Sequence, residues 1–322
     1  MPARDDDALL RRIARMYYRE DLDQAQIAAA LGISKSTVSR KLTAARESGI
    51  VQIRIVGEDH VERVPDLEDR LRQRFALKEV RVADADAGLD PLRAVGLLCA
   101  DVFAERAPQA ARIGFGWGLT TASIIDAIPA QALRPDTVLT SLVGGMPSID
   151  TGPSGNNQIF TLAEKCGVRA RRFDAPAVVE SPVAQRVLLR ESSVATSLEF
   201  ARHCDLAFVG IGAFGVRTSG KVLAAMRFTD EERRQVLRAR PVGDMVGRAF
   251  DAAGTPLGPP SSDRVIALTI ADLARIPLVV GAAAGIEKTQ GVLGALRTGA
   301  LDALVVDRDL AESLVFTGPA DD

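Results

Sequence analysis

The sequence predicts an α/β chain in two parts: a small N-terminal helix-turn-helix domain, then a larger domain built on a mainly parallel sheet with helices on both faces. Three observations predict it. Two short helical patterns broken by a glycine lie at residues 24–42. Beyond residue 79, short apolar runs alternate with helical stretches. Apolar residues make up 47% of the 322, enough for a substantial core, and with aromatics at 4% that core falls to Ala, Val, Leu and Ile.

Taken in order, residues 8–18 read as a helix with Leu9, Leu10, Ile13 and Tyr17 on one side. Asp23 suits the N-cap of a second helix ending at Leu31, and Gly32 breaks it. A third helix starts at Ser34 and runs to about Ser48, with Gly49 as its stop. Residues 50–56 alternate like a short strand or wing, and residues 57–63 form a polar joint. Val64, Leu67, Leu71 and Phe75 then share one helical stripe, which could pair with a second copy or dock on the large domain. The division is therefore 1–56, a connecting helix within 57–78, and 79–322. In the last part, strands are expected at 80–83, 112–115, 137–143, 168–173, 206–211, 264–268, 278–281 and 303–306. Thr229 with Glu232, and Thr269 with Asp272, have capping-box spacing.

Charge and cysteines narrow the function. No apolar run reaches the length of a membrane span, and the acidic start MPARDDD lacks the basic, then apolar, pattern of a secretory signal. Three dispersed cysteines suit neither a disulfide framework nor a zinc site, and a reducing cytoplasm is expected. The net charge of -2 excludes a general nucleic-acid coat, so any such contact must be local.

Residues 24–42 supply that locality. Ala28 is small where two helices cross, and Gly32 tolerates the turn. Ile27, Leu31, Ile33, Val38 and Leu42 can anchor the third helix against the second. Its other face carries Lys35, Ser36, Thr37, Ser39, Arg40, Lys41 and Arg46, with no acid from Ser34 to Arg46. Such a helix can lie in a major groove with Ser34 and Thr37 toward phosphate, and Lys35, Ser36 and Arg40 are expected at base edges. The DNA-facing set is thus Ser34, Lys35, Ser36, Thr37, Ser39 and Arg40, while Lys41 and Arg46 read as solvated or phosphate-facing. An ordinary three-helix bundle is the plainer alternative.

With this motif, the segments IGFGWGLTT (113–121), LVGG (142–145), LAFVGIG (206–212), VGDMVGRAFDAAG (242–254), RIPLVVGAAAGIEK (275–288) and ALVVD (303–307) make the chain resemble the SorC-type sugar-binding transcriptional regulators over nearly its whole length. The resemblance implies several properties. The large domain would resemble the phosphosugar-isomerase and CoA-transferase fold. It would sense a small sugar or sugar phosphate without turnover or cofactor. The chain would bind double-stranded operator DNA and assemble as a homodimer or homotetramer.

Ligands of parallel α/β sheets gather beyond the C-terminal strand ends. There, Gly116, Gly118, Thr120 and Thr121 form a glycine turn opening a helix, suited either to an anion or sugar oxygen or to simple capping. Gly144 and Gly145 end another strand, and Asn156 and Asn157 precede the next helix, as sugar ligands or as caps. Asp244 could accept sugar hydroxyls or be a structural acid, and Lys288 lines the pocket by resemblance. Glu287 stands in Ala284-Gly285-Ile286-Glu287, where the familiar family pattern has a glycine pair before the lysine; this leaves the phosphate end open. Trp117 could stack on a sugar or fill the core.

Of two other readings, one is set aside and one is kept as the alternative. Gly210–Gly215 matches a dinucleotide-binding glycine pattern, but Thr218-Ser219-Gly220 is expected to break the helix it needs. A phosphosugar isomerase carrying a DNA-binding domain is the alternative function, with Asp244 and Lys288 as its nearest acid–base pair.

Overall fold

The computed structural model describes residues 3–20, 22–47, 50–51, 61–84, 89–146 and 155–317. The expected end of the third helix at 48–49, most of the wing at 50–56, most of the joint at 57–63 and the side chain of Arg46 lie outside the described residues. The chain forms two compact units, Met1–His60 and Val61–Asp322.

The first unit contains α1 (Ala3–Tyr18), α2 (Gln24–Leu31) and α3 (Lys35–Glu47). Asp23 starts α2 through a capping box: its carboxylate accepts the Ala25 and Gln26 N–H groups at 2.7 and 2.8 Å, and Gln26 Oε1 accepts the Asp23 N–H. Gly32 stops α2 at φ 64°, a left-handed conformation that a side chain would strain. Ser34 then caps α3, its Oγ accepting the Thr37 N–H at 3.1 Å. Ile13, Ile27 and Val38, all fully buried, knit the three helices together, with Met16 and Leu42 beside them.

The second unit opens with β1 (Glu62–Arg63), α4 (Pro65–Phe75), β2 (Glu79–Asp84), α5 (Pro91–Arg106), β3 (Arg112–Phe115), α6 (Leu119–Ala127) and β4 (Val138–Ser141). It continues with α7 (Gly155–Cys166), β5 (Arg169–Arg171), α8 (Pro182–Arg190), α9 (Ser192–Arg202), β6 (Leu206–Ala213), α10 (Arg217–Ala225) and α11 (Asp230–Arg238). It closes with β7 (Pro241–Met245), β8 (Arg248–Asp251), α12 (Ile270–Leu273), β9 (Leu278–Ala283), α13 (Thr289–Arg297), β10 (Ala303–Asp307) and α14 (Arg308–Phe316). The sheet order is β1-β2-β10-β9-β6-β3-β4-β5; only the edge strand β1 runs antiparallel along that path.

Alternation along the central strands explains the two-faced burial. On β6, Leu206 and Phe208 enter one core, while Ala207, Val209 and Ile211 enter the other. Phe115 stacks on Phe208 with ring centroids 5.5 Å apart, and Phe103 of α5 leans on both. On the opposite face Leu67 and Leu71 of α4 are buried in the same core as Val80 and Leu310.

Four expectations change. Residues 264–268 form no strand: Val265 and Ala267 make only isolated bridges to Val178 and Val143, so this apolar run crosses the core without a ladder. The hairpin β7–β8 was not expected, because Pro241, Gly243 and Asp244 hide its alternation. Asn156 and Asn157 do not precede a helix but lie in the first turn of α7. Thr218-Ser219-Gly220 does not break a helix; it lies within α10. Gly220 is what lets α10 close on the preceding loop, since a Cβ there would lie 2.8 Å from the Gly215 carbonyl oxygen. Both capping boxes, at Thr229 and Thr269, are formed.

Candidate DNA-binding face and effector pocket

On α3 the burial pattern sorts the side chains. Val38, Leu42 and Ala45 are buried, whereas Lys35, Ser36, Ser39 and Arg40 are exposed and Thr37 is half-buried. The exposed positions recur at helical spacing and form one face. At its start, Ser34 Oγ lies 2.9 Å from Ser36 Oγ and 2.8 Å from Thr37 Oγ1, gathering three hydroxyls at the helix N-terminus. Arg40 Nε donates to the Ser36 carbonyl at 3.4 Å, which lays the guanidinium along the helix. Among the described residues neither Lys35 nor Arg40 is ion-paired, so both charges remain available to a polyanion.

In the second unit, a pocket opens at the C-terminal ends of β3, β6 and β9, against the turn of the β7–β8 hairpin. Gly118 (φ 112°) caps α6 there, and Thr120 lies beside it. Asp244 rises from β7, and Lys288 sits just before α13. Four residues of the expected set therefore meet: Gly118, Thr120, Asp244 and Lys288.

The others do not line this pocket. The Gly116 N–H is spent on the Phe208 carbonyl at 2.8 Å, and Thr121 is buried with its Oγ1 unpartnered. Gly144, Gly145 and Asn156 border a separate small depression that shares only Trp117 with the main pocket. The Gly144 and Gly145 N–H groups already donate to Ile266 and Ala175, at 3.0 and 2.8 Å. A Cβ at Gly144 would lie 2.5 Å from the Ala175 carbonyl oxygen, so close packing accounts for that glycine. Asn156 Nδ2 donates to the Phe173 carbonyl at 3.2 Å, tying α7 to the chain after β5.

Electrostatics make the pocket a polar trap. Burial pushes the Asp244 carboxyl above the usual carboxylate range, opposed by a Ser219 hydroxyl, the Lys288 ammonium and the Gly247 N–H. Its Oδ1 is buried without a hydrogen-bond partner, wedged against Gly212 in the β6–β7 pair. Burial likewise pulls Lys288 below its ordinary value, opposed chiefly by Glu287. Ser219 Oγ also accepts the Gly215 N–H at 3.3 Å and so ties the β6–α10 loop to the pocket floor. Trp117, half-buried, packs on the core and lines both depressions, and its Nε1 is buried without a partner.

Sequence reasoning missed the pocket wall at Arg217, Thr218 and Ser219, and it passed over Glu287 as a pairing residue. The signal was available: the glycines of LAFVGIG and AFG end β6 just as those of IGFGWG end β3. A larger cavity, about 300 Å³, lies beside Arg248. That guanidinium is consumed by the carbonyls of Ser262, Val265, Ala267 and Leu268, at 2.7 to 3.3 Å, so the cavity offers a ligand no charged group. No cluster of metal-ligating side chains occurs among the described residues.

A helix-turn-helix with an uncompensated cationic face, on one chain with an α/β domain holding a polar pocket, defines a ligand-responsive transcription factor. Comparison with known proteins gives the family. The Sugar-bind model of a sugar-binding domain matches residues 59–316. The chain is 32% identical over 316 residues to the sorbitol operon regulator of Klebsiella pneumoniae, covering 97% of this chain and 98% of the relative. It is 29% identical over 311 residues to the transcriptional regulator LsrR of an Enterobacter strain, covering 96% and 93%. The crystal structure of full-length SorC from Klebsiella pneumoniae superposes with a TM-score of 0.71 at 30% identity, covering 97% of this chain and 99% of that one. The chain belongs to the SorC-type family of sugar-binding transcriptional regulators and is a sugar-operon regulator. These relatives are regulators and not enzymes, which sets aside the isomerase alternative. Among the described residues no helix is long and apolar enough to cross a membrane.

Proposed function

We propose that the exposed α3 face binds operator DNA and that the pocket holding Asp244 and Lys288 binds the sugar-type effector that controls this binding. Lys35, Ser36 and Arg40 reach base edges, while Ser34, Thr37 and Ser39 face the phosphates. The observation that carries this is the sorting of α3: cations and hydroxyls exposed on one side, Val38 and Leu42 buried on the other.

In the pocket, Asp244 accepts effector hydroxyls, Lys288 and the Thr120 hydroxyl contribute donors, and Gly118 leaves the start of α6 open to an oxygen. Gly116, Thr121, Gly144, Gly145 and Asn156 stay outside the lining of this pocket. The sorbitol operon regulator, a relative over nearly the full length, favours a polyhydroxylated effector of hexitol or hexose size.

The chain acts in the cytoplasm as a homodimer or homotetramer. Paired recognition helices read half-sites about one helical turn, roughly 34 Å, apart, as single helix-turn-helix units bind too little DNA to be specific. Residues 1–56 carry the DNA contact, 57–78 the connection, and 79–322 effector binding and assembly. The effector shifts DNA affinity only by its differential affinity for two arrangements of the assembly.

The test is an electrophoretic mobility assay of the full chain on duplexes from its own promoter region, titrated with hexitols, hexoses and their phosphates. A retarded complex whose midpoint moves with one of these compounds supports the proposal. Binding that no compound alters, in a protein whose melting temperature they also leave unmoved, contradicts it.

A further inference from the structure

Two cations and two carboxylates line the pocket: Arg217, Lys288, Asp244 and Glu287. Their pairing is specific. Glu287 reaches across the mouth to Arg217, with Oε1 3.2 Å from the guanidinium Nη2, and joins the loop before α13 to the start of α10. Lys288, the next residue, makes no ion pair or hydrogen bond among the described residues. It nevertheless feels Glu287, Asp244 and Asp307.

The backbone on both walls adopts left-handed conformations beside this pair. Gly285 has φ 101°, a conformation that favours glycine, and the Glu287 carboxylate folds back over it, with Oε1 2.8 Å from where a Cβ would stand. On the other wall Arg217 itself sits at φ 47°, unusual for a non-glycine residue. The Gly285 N–H is not free for a ligand oxygen, because it donates to Asp307 Oδ1 at 2.8 Å.

We propose that Glu287 sets the charge selectivity of the pocket: by neutralising Arg217 it makes the site favour an uncharged polyhydroxylated ligand over a phosphate ester. This rests on the reading of the pocket as the effector site. The positive ends of α6 and α10 border the pocket, but they attract a hydroxyl oxygen and a phosphate oxygen alike. The side chains therefore decide. With a formal sum of zero over Arg217, Lys288, Asp244 and Glu287, a dianionic group meets two cations and two carboxylates. An uncharged polyol meets both signs as donors and acceptors, without displacing the bridge.

The experiment compares the full chain with Glu287→Gln and Arg217→Gln. Isothermal titration and the fluorescence of Trp117, the single tryptophan, report binding. The probes are hexitols, hexoses, their phosphate esters and inorganic phosphate. The unmodified protein should bind an uncharged probe more tightly than its phosphate ester. Glu287→Gln should shift that ratio about fivefold toward the ester and strengthen inorganic phosphate binding, the scale expected of a partly exposed charge pair. Arg217→Gln should shift it the other way. A ratio unchanged in Glu287→Gln, or an unmodified protein that prefers the ester, overturns the selectivity role while leaving the pocket intact. Binding of no probe by any of the three proteins overturns the pocket reading and this inference with it.

Discussion

The α3 face and the pocket handle charge in opposite ways. On α3, Lys35 and Arg40 are exposed and without ion pairs among the described residues, and no acid occurs from Ser34 to Arg46. In the pocket, Arg217 pairs with Glu287 at the exposed mouth, and the half-buried Lys288 lies near Glu287 and Asp244, so each cation faces a carboxylate. The difference matches two kinds of partner. A polyanion with a dense counterion atmosphere is bound by surplus positive charge and by releasing those counterions. A small polar molecule is bound by compensated groups whose remaining hydrogen bonds it completes. One chain with net charge -2 can therefore carry a nucleic-acid contact and a selective small-molecule site, because charge is distributed locally.

Four variants break or sharpen this contrast. Lys35→Ala with Arg40→Ala should have the largest effect. Each lost base contact is worth about 1–3 kcal/mol, so operator affinity should fall by about thirtyfold or more, while effector-induced melting shifts stay unchanged. Fluorescence anisotropy and thermal shift on the same sample check both halves.

Arg248→Met comes next. It strands the Ala267 and Leu268 carbonyls and leaves those of Ser262 and Val265 with the Gln185 side-chain amide alone, and should cost the second unit about 2 kcal/mol or more in denaturant unfolding. The helicity of the isolated first unit, residues 1–60, provides a control that this substitution cannot touch.

Asp244→Asn should weaken effector binding about tenfold or more, the value of hydrogen bonds to a charged acceptor. It should also stabilise the ligand-free protein. A carboxyl whose folded value is raised holds its proton more tightly when folded. Its contribution to stability is therefore present at low pH and is lost as pH rises from the usual carboxylate range through the raised value. The melting-temperature difference between Asp244→Asn and the unmodified chain should thus widen over that rise and stay flat above it. Asp272, held below the usual range against the cost of burial by hydrogen bonds from Thr269 and pairing with Arg202, works in the opposite direction and is common to both proteins.

The smallest effect belongs to Gly32→Ala. Forcing a side chain into the left-handed turn should cost about 1 kcal/mol and lower the melting of the first unit, with little change in effector binding.

The two regions also differed in how much the sequence revealed. The helix-turn-helix was legible almost residue by residue. Its signals are local: Asp23 caps, Gly32 turns, and the burial of Val38 and Leu42 follows from helical spacing. The pocket was legible in part, because Gly118 with Thr120, Asp244 and Lys288 come from three separate chain segments that only the sheet order assembles. Asp244 lies on a hairpin whose glycines and proline suppress strand periodicity. Ser219 is brought to Asp244 by a helix that the Thr218-Ser219-Gly220 run argued against. In 264–268 the apolar run was real, but its pairing is limited to isolated bridges with Val143 and Val178 in place of a continuous ladder, a distinction that composition does not carry. The link between Glu287 and Arg217 spans 70 residues of sequence and had no local signature at all.

The most direct test of the account is the salt dependence of operator binding by the full chain, measured on duplexes from its own promoter region. Surplus charge on α3 predicts that log affinity falls linearly with log salt, and that Lys35→Ala with Arg40→Ala weakens binding to the operator more than binding to a scrambled duplex. Binding that salt leaves unchanged, or a double substitution that lowers affinity for both duplexes equally or for neither, would contradict it.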